Sequence, residues 1–401
     1  MAPLKHGKEL IMKVEDIKTI AIIGAGDMGH GIAEVCAMAG VKVNLYDIKQ
    51  EFVDKGLAKI KASFEKQVTK QKMSGEDMNK AIGNIKGFTS LKEAVADIDY
   101  MIEAAPEILD LKIKIFKEID ENAPKHAILA SNTSNMSITE MGNATSRPEK
   151  VLGIHFFNPP VMMALVEVIR GQKTSEETMN VSYEFISKLK NFRGPMQPVR
   201  VERDSPGFIF NRINAPVSLY LAEIYEKGLI NPEAVDAKIR SIGSPMGPYE
   251  TMDFAGLDIF CHGTEYFAKT LSPEFRPSNW LKKKIDAGEL GKKSSKGIFD
   301  WPEGNRPAID MGKADPNFDP MDIVCLQVNE GTKLLEEGVT GSAAEIDKAM
   351  VNGGGSPFGP FALAKGMGWD KVAERCEAIS QKLGIKWFLP TETLKKGNIQ
   401  V

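Results

Sequence analysis

A histidine and a glutamate that follows it in the next apolar run are the residues best suited to catalysis. His155 is one of five histidines and lies within the apolar run 151–157, whereas Glu167 lies within the apolar run 165–169. A carboxylate flanked by apolar residues must be paired when it is buried, because an isolated buried charge is costly. We expect the intervening turn to bring the imidazole to this carboxylate. The pair would orient the ring and stabilise its protonated form, as a general base for an alcohol requires.

A glycine-rich turn near the amino terminus has the pattern of a dinucleotide-binding site. Gly24, Gly26 and Gly29 follow the β-branched run 19–23 and open a helix predicted over residues 28–39. Glycines at this spacing give a tight turn, close backbone approach to a pyrophosphate, and helix-on-strand packing. Two further residues lie between the second and third glycines, namely Asp27 and Met28. A chance glycine turn is the alternative, since three spaced glycines alone are weak evidence.

Asp47 strengthens the nucleotide interpretation. It ends a second predicted strand, residues 41–46, at the distance from the glycines that a ribose-binding carboxylate would have. A carboxylate there accepts hydrogen bonds from a ribose diol and repels a 2′-phosphate, so the sequence favours NAD over NADP. Beside such a site, the His155–Glu167 pair is better explained by catalysis than by a purely structural ion pair.

Polar segments follow two other predicted strands. Residues 131–134 follow the strand predicted over 127–130, and Glu107 and Lys112 follow the strand predicted over 100–104. Ligands of an open parallel sheet lie at the carboxyl ends of its strands, so these segments are expected to face the cofactor cleft. The serines could instead cap the helix beginning near residue 137, and the acids could simply begin a helix.

A lysine-rich helix is predicted over residues 50–72. A run of lysines is usually a solvated face. Here Ser63 and Lys70 could also bind a phosphate-rich part of a substrate. Asn211 lies on the first helix after the sheet, and its spacing alone would not single it out.

The order of strands and helices predicts an α/β doubly wound sheet followed by an all-α region. Strands at 165–169 and 198–201 are expected to complete the sheet, and long amphipathic helices begin after residue 204. Within the helical region, residues 243–248 recur as 355–360, with matched positions on both sides. This indicates a tandem duplication. We therefore predict domains at 1–203, 204–305 and 321–401, with a linker at 306–320.

Composition excludes several classes of protein. The 401 residues are 42% hydrophobic and 26% charged, with a net charge of −3, which gives no reason to expect nucleic acid or an anionic membrane as a partner. No apolar run approaches the ~20 residues of a membrane span, and the amino terminus lacks a signal-peptide core. The four cysteines show no metal-ligand spacing, so reduced thiols in a cytoplasmic protein are expected.

These motifs together resemble the L-3-hydroxyacyl-CoA dehydrogenase family. The resemblance is carried by residues 24–29, 103–107, 131–134, 155–159, 165–169, 204–208 and 211–212. It implies a Rossmann-type NAD-binding domain followed by the family's helical C-terminal domain. The tandem copy is similar to the dehydrogenase half of multifunctional fatty-acid oxidation enzymes.

The resemblance also implies roles for individual residues. His155 would be the catalytic base, Glu167 its orienting partner, and Ser134 and Asn211 would hydrogen-bond the reacting oxygens. The cofactor site would comprise Gly24, Gly26, Asp27, Met28, Gly29, Asp47, Glu107, Lys112, Ser134 and Asn158. Ser63 and Lys70 fall where the family contacts coenzyme A. One departure is Ala164, where the family often has lysine, which leaves any role of that lysine in doubt.

The implied activity is reversible oxidation of an (S)-3-hydroxyacyl-CoA by NAD, with short chains such as 3-hydroxybutyryl-CoA expected. The alternatives are a related dehydrogenase of a free hydroxy acid or sugar acid, and a catalytically idle homologue, which should lack one member of the His–Glu dyad. The second helical copy has Met321-Asp322 where Asn211-Arg212 would recur, so it is expected to be non-catalytic. The chain would be a monomer with an internal pseudo-dimer, or a homodimer.

Overall fold

The computed structural model describes residues 12–400 and divides into two compact units. The first runs to Phe208 and the second begins at Ile209, five residues after the boundary predicted at residue 203. The predictions that concern residues 1–11 and 401, including the amino terminus without a signal peptide, lie outside the described residues. Among the described helices, none combines the length and apolar character that crossing a membrane requires.

The first unit is an eight-stranded sheet with helices between its strands. The strands are β1 (Thr19–Ile23), β2 (Lys42–Tyr46), β3 (Ile85–Phe88), β4 (Tyr100–Glu103), β5 (Ile128–Ser131), β6 (Val151–Phe156), β7 (Leu165–Arg170), and β10 (Gln197–Val201), with a separate hairpin of β8 (Lys190–Asn191) and β9 (Gly194–Pro195). The helices are α1 (Asp27–Met38), α2 (Gln50–Thr69), α3 (Gly75–Gly83), α4 (Leu91–Val95), α5 (Leu109–Asn122), α6 (Ile138–Asn143) and α7 (Glu176–Lys188).

The strand order is β3-β2-β1-β4-β5-β6-β7-β10. Strands β4, β5 and β6 are buried along their whole length, as expected for central strands covered on both faces. Within this eight-stranded sheet, β6 and β7 pair antiparallel and the other neighbouring strands pair parallel. The chain moves outward in opposite directions from β1, so the crevice beyond the carboxyl ends of β1 and β4 is the topological switch point where such sheets bind ligands.

The predicted strands correspond to β1, β2, β4, β5, β6, β7 and β10, whereas the helix predicted from residue 50 to about 72 is slightly shorter than expected. It ends at Thr69, and a turn with Gln71 at a φ of 56° separates it from α3. Ser74 caps α3 by accepting a hydrogen bond from the amide of Asp77. The lysine-rich composition continues across this turn, which is why the sequence pattern concealed the break.

The second unit is helical and contains two similar groups of helices. We call α8 (Phe210–Glu226), α9 (Pro232–Ser241), α10 (Pro248–Ala255) and α11 (Leu257–Thr270) the first copy. After α12 (Asn279–Asp286), the second copy comprises α13 (Met321–Glu336), α14 (Ala343–Gly354), α15 (Pro360–Ala364) and α16 (Trp369–Leu383), and α17 (Glu392–Lys396) follows it.

The first helices of the two copies contact each other through polar side chains, of which Arg212, Glu330 and Tyr220 are buried. Arg212 of α8 lies 2.5 Å from Glu330 of α13 and 2.7 Å from Glu337. Near the opposite end of the contact, the Tyr220 hydroxyl donates to Asp322 over 2.8 Å. Since residue 212 is near the start of α8 and residue 330 near the end of α13, the two helices pack antiparallel.

Candidate active site

The pairing of β6 with β7 places His155 directly opposite Glu167. The His155 Nδ1 atom lies 2.7 Å from a Glu167 carboxylate oxygen. His155 is 5% exposed and Glu167 is fully buried. The register of two strands therefore fixes the contact that the sequence predicted, in surroundings where an unpaired carboxylate would be costly.

The carboxylate also determines which nitrogen of the ring can act as a base. When Nδ1 donates its hydrogen to Glu167, Nε2 is left with a lone pair. That nitrogen lies 3.2 Å from the hydroxyl oxygen of Ser134. The rings of Phe157 and Phe208 lie 4.5 and 5.8 Å from the imidazole, measured between ring centroids, and limit the positions that the ring can adopt.

The turn that follows β5 carries Ser134 to this position. The Asn132 side-chain oxygen accepts a hydrogen bond of 2.8 Å from the amide of Phe156, which joins the turn to the end of β6. The amide of Ser134 donates to Glu107 over 2.6 Å, and the Thr133 hydroxyl donates to the same carboxylate over 2.9 Å. The helix that follows is capped by Ser137, so the capping role belongs to that serine rather than to Ser134.

Glu107 and Lys112 lie in one charged cluster at the end of β4. The Lys112 ammonium is 2.7 Å from Glu103 and 3.2 Å from Glu107. Lys112 and Glu103 are buried, whereas the side chain of Glu107 is 42% exposed. Glu107 is therefore the member of this cluster that can meet a ligand.

The backbone geometry at the glycines of the amino-terminal turn is consistent with the roles that their spacing predicts. Gly24 has a φ of +108°, and a Cβ there would lie 2.6 Å from the carbonyl oxygen of Ala104. A Cβ on Gly29 would lie 1.7 Å from the Gly24 oxygen, so only glycine lets α1 approach β1. A Cβ on Gly26 would meet nothing within 4 Å, which leaves open space beside the start of α1. A pyrophosphate fits such an opening at a helix amino terminus.

Asp47 lies next to this turn. One of its oxygens accepts a hydrogen bond of 2.8 Å from the amide of Ala25, and the other accepts from the amide of Ile48. Asp27 and Met28 form the first turn of α1. Asp27 is 2.6 Å from Lys59, whose hydrogen bond lowers the pKa of that carboxyl.

Ser63 faces α1 rather than open solvent. Its hydroxyl donates to Glu34 over 2.6 Å, and the other oxygen of that buried carboxyl has no hydrogen-bond partner among the described residues. Burial raises the pKa of Glu34 to about 8, against the opposing effect of the Ser63 hydrogen bond. Lys70 follows the end of α2, two helical turns after Ser63, so the two residues share one side of the helix.

The two remaining predicted site residues are asparagines. Asn158 is exposed in the loop after β6. Asn211 belongs to the second unit, where it lies half-buried in the first turn of α8.

Four buried polar residues support the site: Glu34, Glu103, Ser131 and Thr133. The sequence placed Glu103, Ser131 and Thr133 in polar segments at the ends of adjacent strands but assigned none of them a role of its own, and it did not single out Glu34. Glu34 is one polar residue within an otherwise apolar part of α1, but its partner on another helix is not visible in the sequence.

Family models match most of the chain. The model described as "3-hydroxyacyl-CoA dehydrogenase, NAD binding domain" matches residues 19–204. The model described as "3-hydroxyacyl-CoA dehydrogenase, C-terminal domain" matches two stretches, 207–301 and 322–397.

Individual relatives are similar over long stretches. A 3-hydroxybutyryl-CoA dehydrogenase of Bradyrhizobium diazoefficiens is 40% identical over 295 residues, which cover 73% of this chain and 97% of that protein. A 3-hydroxyadipyl-CoA dehydrogenase of Escherichia coli K12 is 35% identical, with 95% of this chain and 97% of that protein covered. The crystal structure of 3-hydroxybutyryl-CoA dehydrogenase from the same organism has a TM-score of 0.85 at 28% identity, and covers 95% of this chain and 98% of that one.

Proposed function

We propose, for this chain that belongs to the 3-hydroxyacyl-CoA dehydrogenase family, that His155 is the general base in the NAD-dependent oxidation of a short-chain (S)-3-hydroxyacyl-CoA. The observation that carries this proposal is the buried His155–Glu167 pair, with the free ring nitrogen turned towards Ser134. The dehydrogenase activity and the use of NAD follow from the family.

The geometry of the dyad supports the proton transfer that we propose. His155 accepts the hydroxyl proton of the substrate at Nε2, which becomes a donor. Glu167 stabilises the imidazolium so formed, because its carboxylate already accepts from Nδ1 in a buried setting. In the reverse direction the same nitrogen returns the proton. Ser134, 3.2 Å away, would hydrogen-bond the reacting oxygen and hold it near the base.

The residues of the first unit fit a dinucleotide. The open face of Gly26 and the start of α1 would hold the pyrophosphate, and Asp47 would bind the adenine-side ribose. Glu107 and Asn158 would line the nicotinamide side, and the buried Lys112 would hold Glu107 in place. NAD⁺, when bound, supplies the acceptor for the hydride that leaves C3 of the substrate.

For the substrate, we propose a short acyl chain joined to coenzyme A. The relatives' names support a coenzyme A thioester, and they include both a 3-hydroxybutyryl and a 3-hydroxyadipyl enzyme. Ser63 and Lys70 would contact the coenzyme A portion. A free hydroxy acid would leave these two residues without a partner in the substrate.

The experiment is an NADH-oxidation assay with a series of 3-oxoacyl-CoA thioesters of increasing length, 3-oxoadipyl-CoA and free acetoacetate. We expect acetoacetyl-CoA to give a higher kcat/KM than the longer thioesters and the dicarboxylic one, and free acetoacetate to be turned over far more slowly. NADPH should be a poor substitute for NADH because of Asp47. Equal rates with free acetoacetate would contradict the thioester assignment. A preference for 3-oxoadipyl-CoA would contradict the short-chain assignment and show that the acyl group is dicarboxylic.

For assembly and location, we propose a cytoplasmic monomer with an internal pseudo-dimer. When the two copies are aligned, Asp322 corresponds to Arg212 and Glu330 corresponds to Tyr220. The Arg212–Glu330 contact therefore joins the same two positions as the Tyr220–Asp322 contact, with the two copies exchanged. Such a self-complementary contact is typical of a two-fold interface. Light scattering should give the 44.0 kDa monomer, and twice that mass would contradict the proposed assembly.

The four cysteines are free thiols, which suits the reducing compartment that a cytoplasmic location provides.

A further inference from the structure

Glu103 is a buried carboxylate with partners on three segments around the candidate active site. It is fully buried at the end of β4. One oxygen accepts from the Ala105 amide over 2.6 Å and from the Lys112 ammonium over 2.7 Å. The other accepts from the Ser131 hydroxyl over 2.5 Å. A buried charge with this many donors holds each of them in a defined place, because any donor that moves away leaves the carboxylate undersatisfied.

A short route leads from Glu103 to the turn that carries Ser134. Ser131, fully buried, donates its hydroxyl hydrogen to Glu103, and its oxygen accepts from the Thr133 amide over 3.2 Å. The carbonyl oxygen of Glu103 also accepts from the Asn132 amide over 2.7 Å. Ser131 at the end of β5 and Asn132 at the start of the turn are therefore bonded to Glu103, and Thr133 is bonded to Ser131.

A longer route leads through Lys112 to Glu107. The Lys112 ammonium bridges Glu103 and Glu107 and donates a further hydrogen bond to the Ala105 carbonyl. Glu107 in turn accepts from the amide of Ser134 and the hydroxyl of Thr133. The two routes close a ring of hydrogen bonds that begins and ends at the turn carrying Ser134.

The geometry points to Glu103 as a positioning residue for the dehydrogenase reaction. Through Ser131 it sets the position of Ser134 against Nε2 of His155, and through Lys112 it sets the position of Glu107 for the nicotinamide side of the cofactor. This role rests on the proposed function, because it matters only if Ser134 and Glu107 meet substrate and cofactor. A small displacement of a positioned group can cost a large factor in rate.

The two routes are tested by separate variants. Ser131→Ala removes the short route and leaves Lys112 in place, whereas Glu103→Gln weakens both. Ser182→Ala is the matched control, because Ser182 is an equally buried serine of the first unit whose partner is the hydroxyl of Tyr100. Each purified protein is assayed for kcat with acetoacetyl-CoA and NADH, for NADH affinity by fluorescence titration, and for Tm.

We expect Ser131→Ala to lower kcat about tenfold while the Kd for NADH stays within about twofold. Glu103→Gln should lower kcat at least as much and also weaken NADH binding about fivefold, because Glu107 loses its anchor. Ser182→Ala should lower Tm by a similar amount to Ser131→Ala and leave kcat unchanged. If Glu103→Gln does not fold, the Ser131→Ala result decides.

A double variant separates positioning from a general loss of structure. If Ser131 acts through Ser134, then Ser131→Ala should have no further effect on kcat once Ser134→Ala is present. An additive effect in that background would overturn the inference, and so would an unchanged kcat in Ser131→Ala alone. His155→Gln in the same assay tests the proposed function separately: if it is inactive while Ser131→Ala is normal, only the positioning role fails.

Discussion

The two helical copies of the second unit cap their third helix in the same way, but they differ in the first turn of their first helix. Asp236 accepts hydrogen bonds from the amides of Tyr249 and Glu250 at 3.0 and 2.7 Å. In the second copy, Asp347 accepts from the amides of Phe361 and Ala362 at 2.9 and 2.8 Å. In both copies a carboxylate on the second helix, buried in Asp236 and half-buried in Asp347, thus binds the free amides at the start of the third helix.

The glycine before each third helix follows from the same arrangement. A Cβ on Gly247 would lie 2.1 Å from the side chain of Asp236, and one on Gly359 would lie 2.3 Å from that of Asp347. By contrast, Asn211-Arg212 at the start of the first copy is replaced by Met321-Asp322 in the second. The capping aspartate and its glycine are present in both copies. The side-chain amide of Asn211, which is expected to contact the substrate, has no counterpart at the matching position of the second copy.

The largest expected difference between the copies is in activity. Asn211→Ala should lower kcat/KM for acetoacetyl-CoA by about a hundredfold, because the resemblance assigns to Asn211 a hydrogen bond with the reacting oxygen. Met321→Ala, at the corresponding position of the second copy, should stay within about twofold of the parent. The NADH-oxidation assay measures both. If the two variants lose equal activity, or neither does, the assignment of Asn211 to the substrate site is wrong.

A smaller expected effect tests the feature that the copies share. Burial raises the pKa of Asp236 to about 7, against its ordinary value of 3.8, and raises that of Asp347 too. Each of these two carboxyl groups keeps its proton to a higher pH in the folded chain than in the unfolded chain. Its contribution to the free energy of unfolding is therefore complete below about pH 4. For Asp236 it is lost as the pH rises to about 7.

Asp236→Asn should therefore flatten the pH dependence of the free energy of unfolding between pH 4 and 7, by up to about 1.4 kcal/mol per pH unit. Asp347→Asn should change the slope in the same direction. Urea unfolding at several pH values measures both. A steeper slope in either variant would contradict the account, and a change in only one would show that the two caps differ in environment.

The sequence predicted the features that are encoded within short segments better than those that depend on contacts between residues distant in the chain. The glycine turn, the strands of the sheet and the pairing of His155 with Glu167 are encoded within short segments, and the structure contains all of them. The strand β3 was not predicted, because Ile85–Phe88 is a half-exposed edge strand with a lysine and a glycine in four residues.

The candidate site was predicted less completely than the fold. The contacts of Glu34 with Ser63 and of Glu103 with Ser131 join residues 29 and 28 positions apart, so no local pattern reveals them. The roles of the predicted site residues stay predictions, which the variants proposed above test.

The most direct measurement is the turnover of His155→Gln, compared with His126→Gln as the control for an exposed histidine. We predict that His155→Gln lowers kcat with acetoacetyl-CoA by about a thousandfold, within the range for loss of a general acid–base group, while the Kd for NADH changes less than about twofold. His126→Gln should match the parent in both. Near-normal turnover by the folded His155→Gln enzyme would contradict the claim that this imidazole moves the substrate proton.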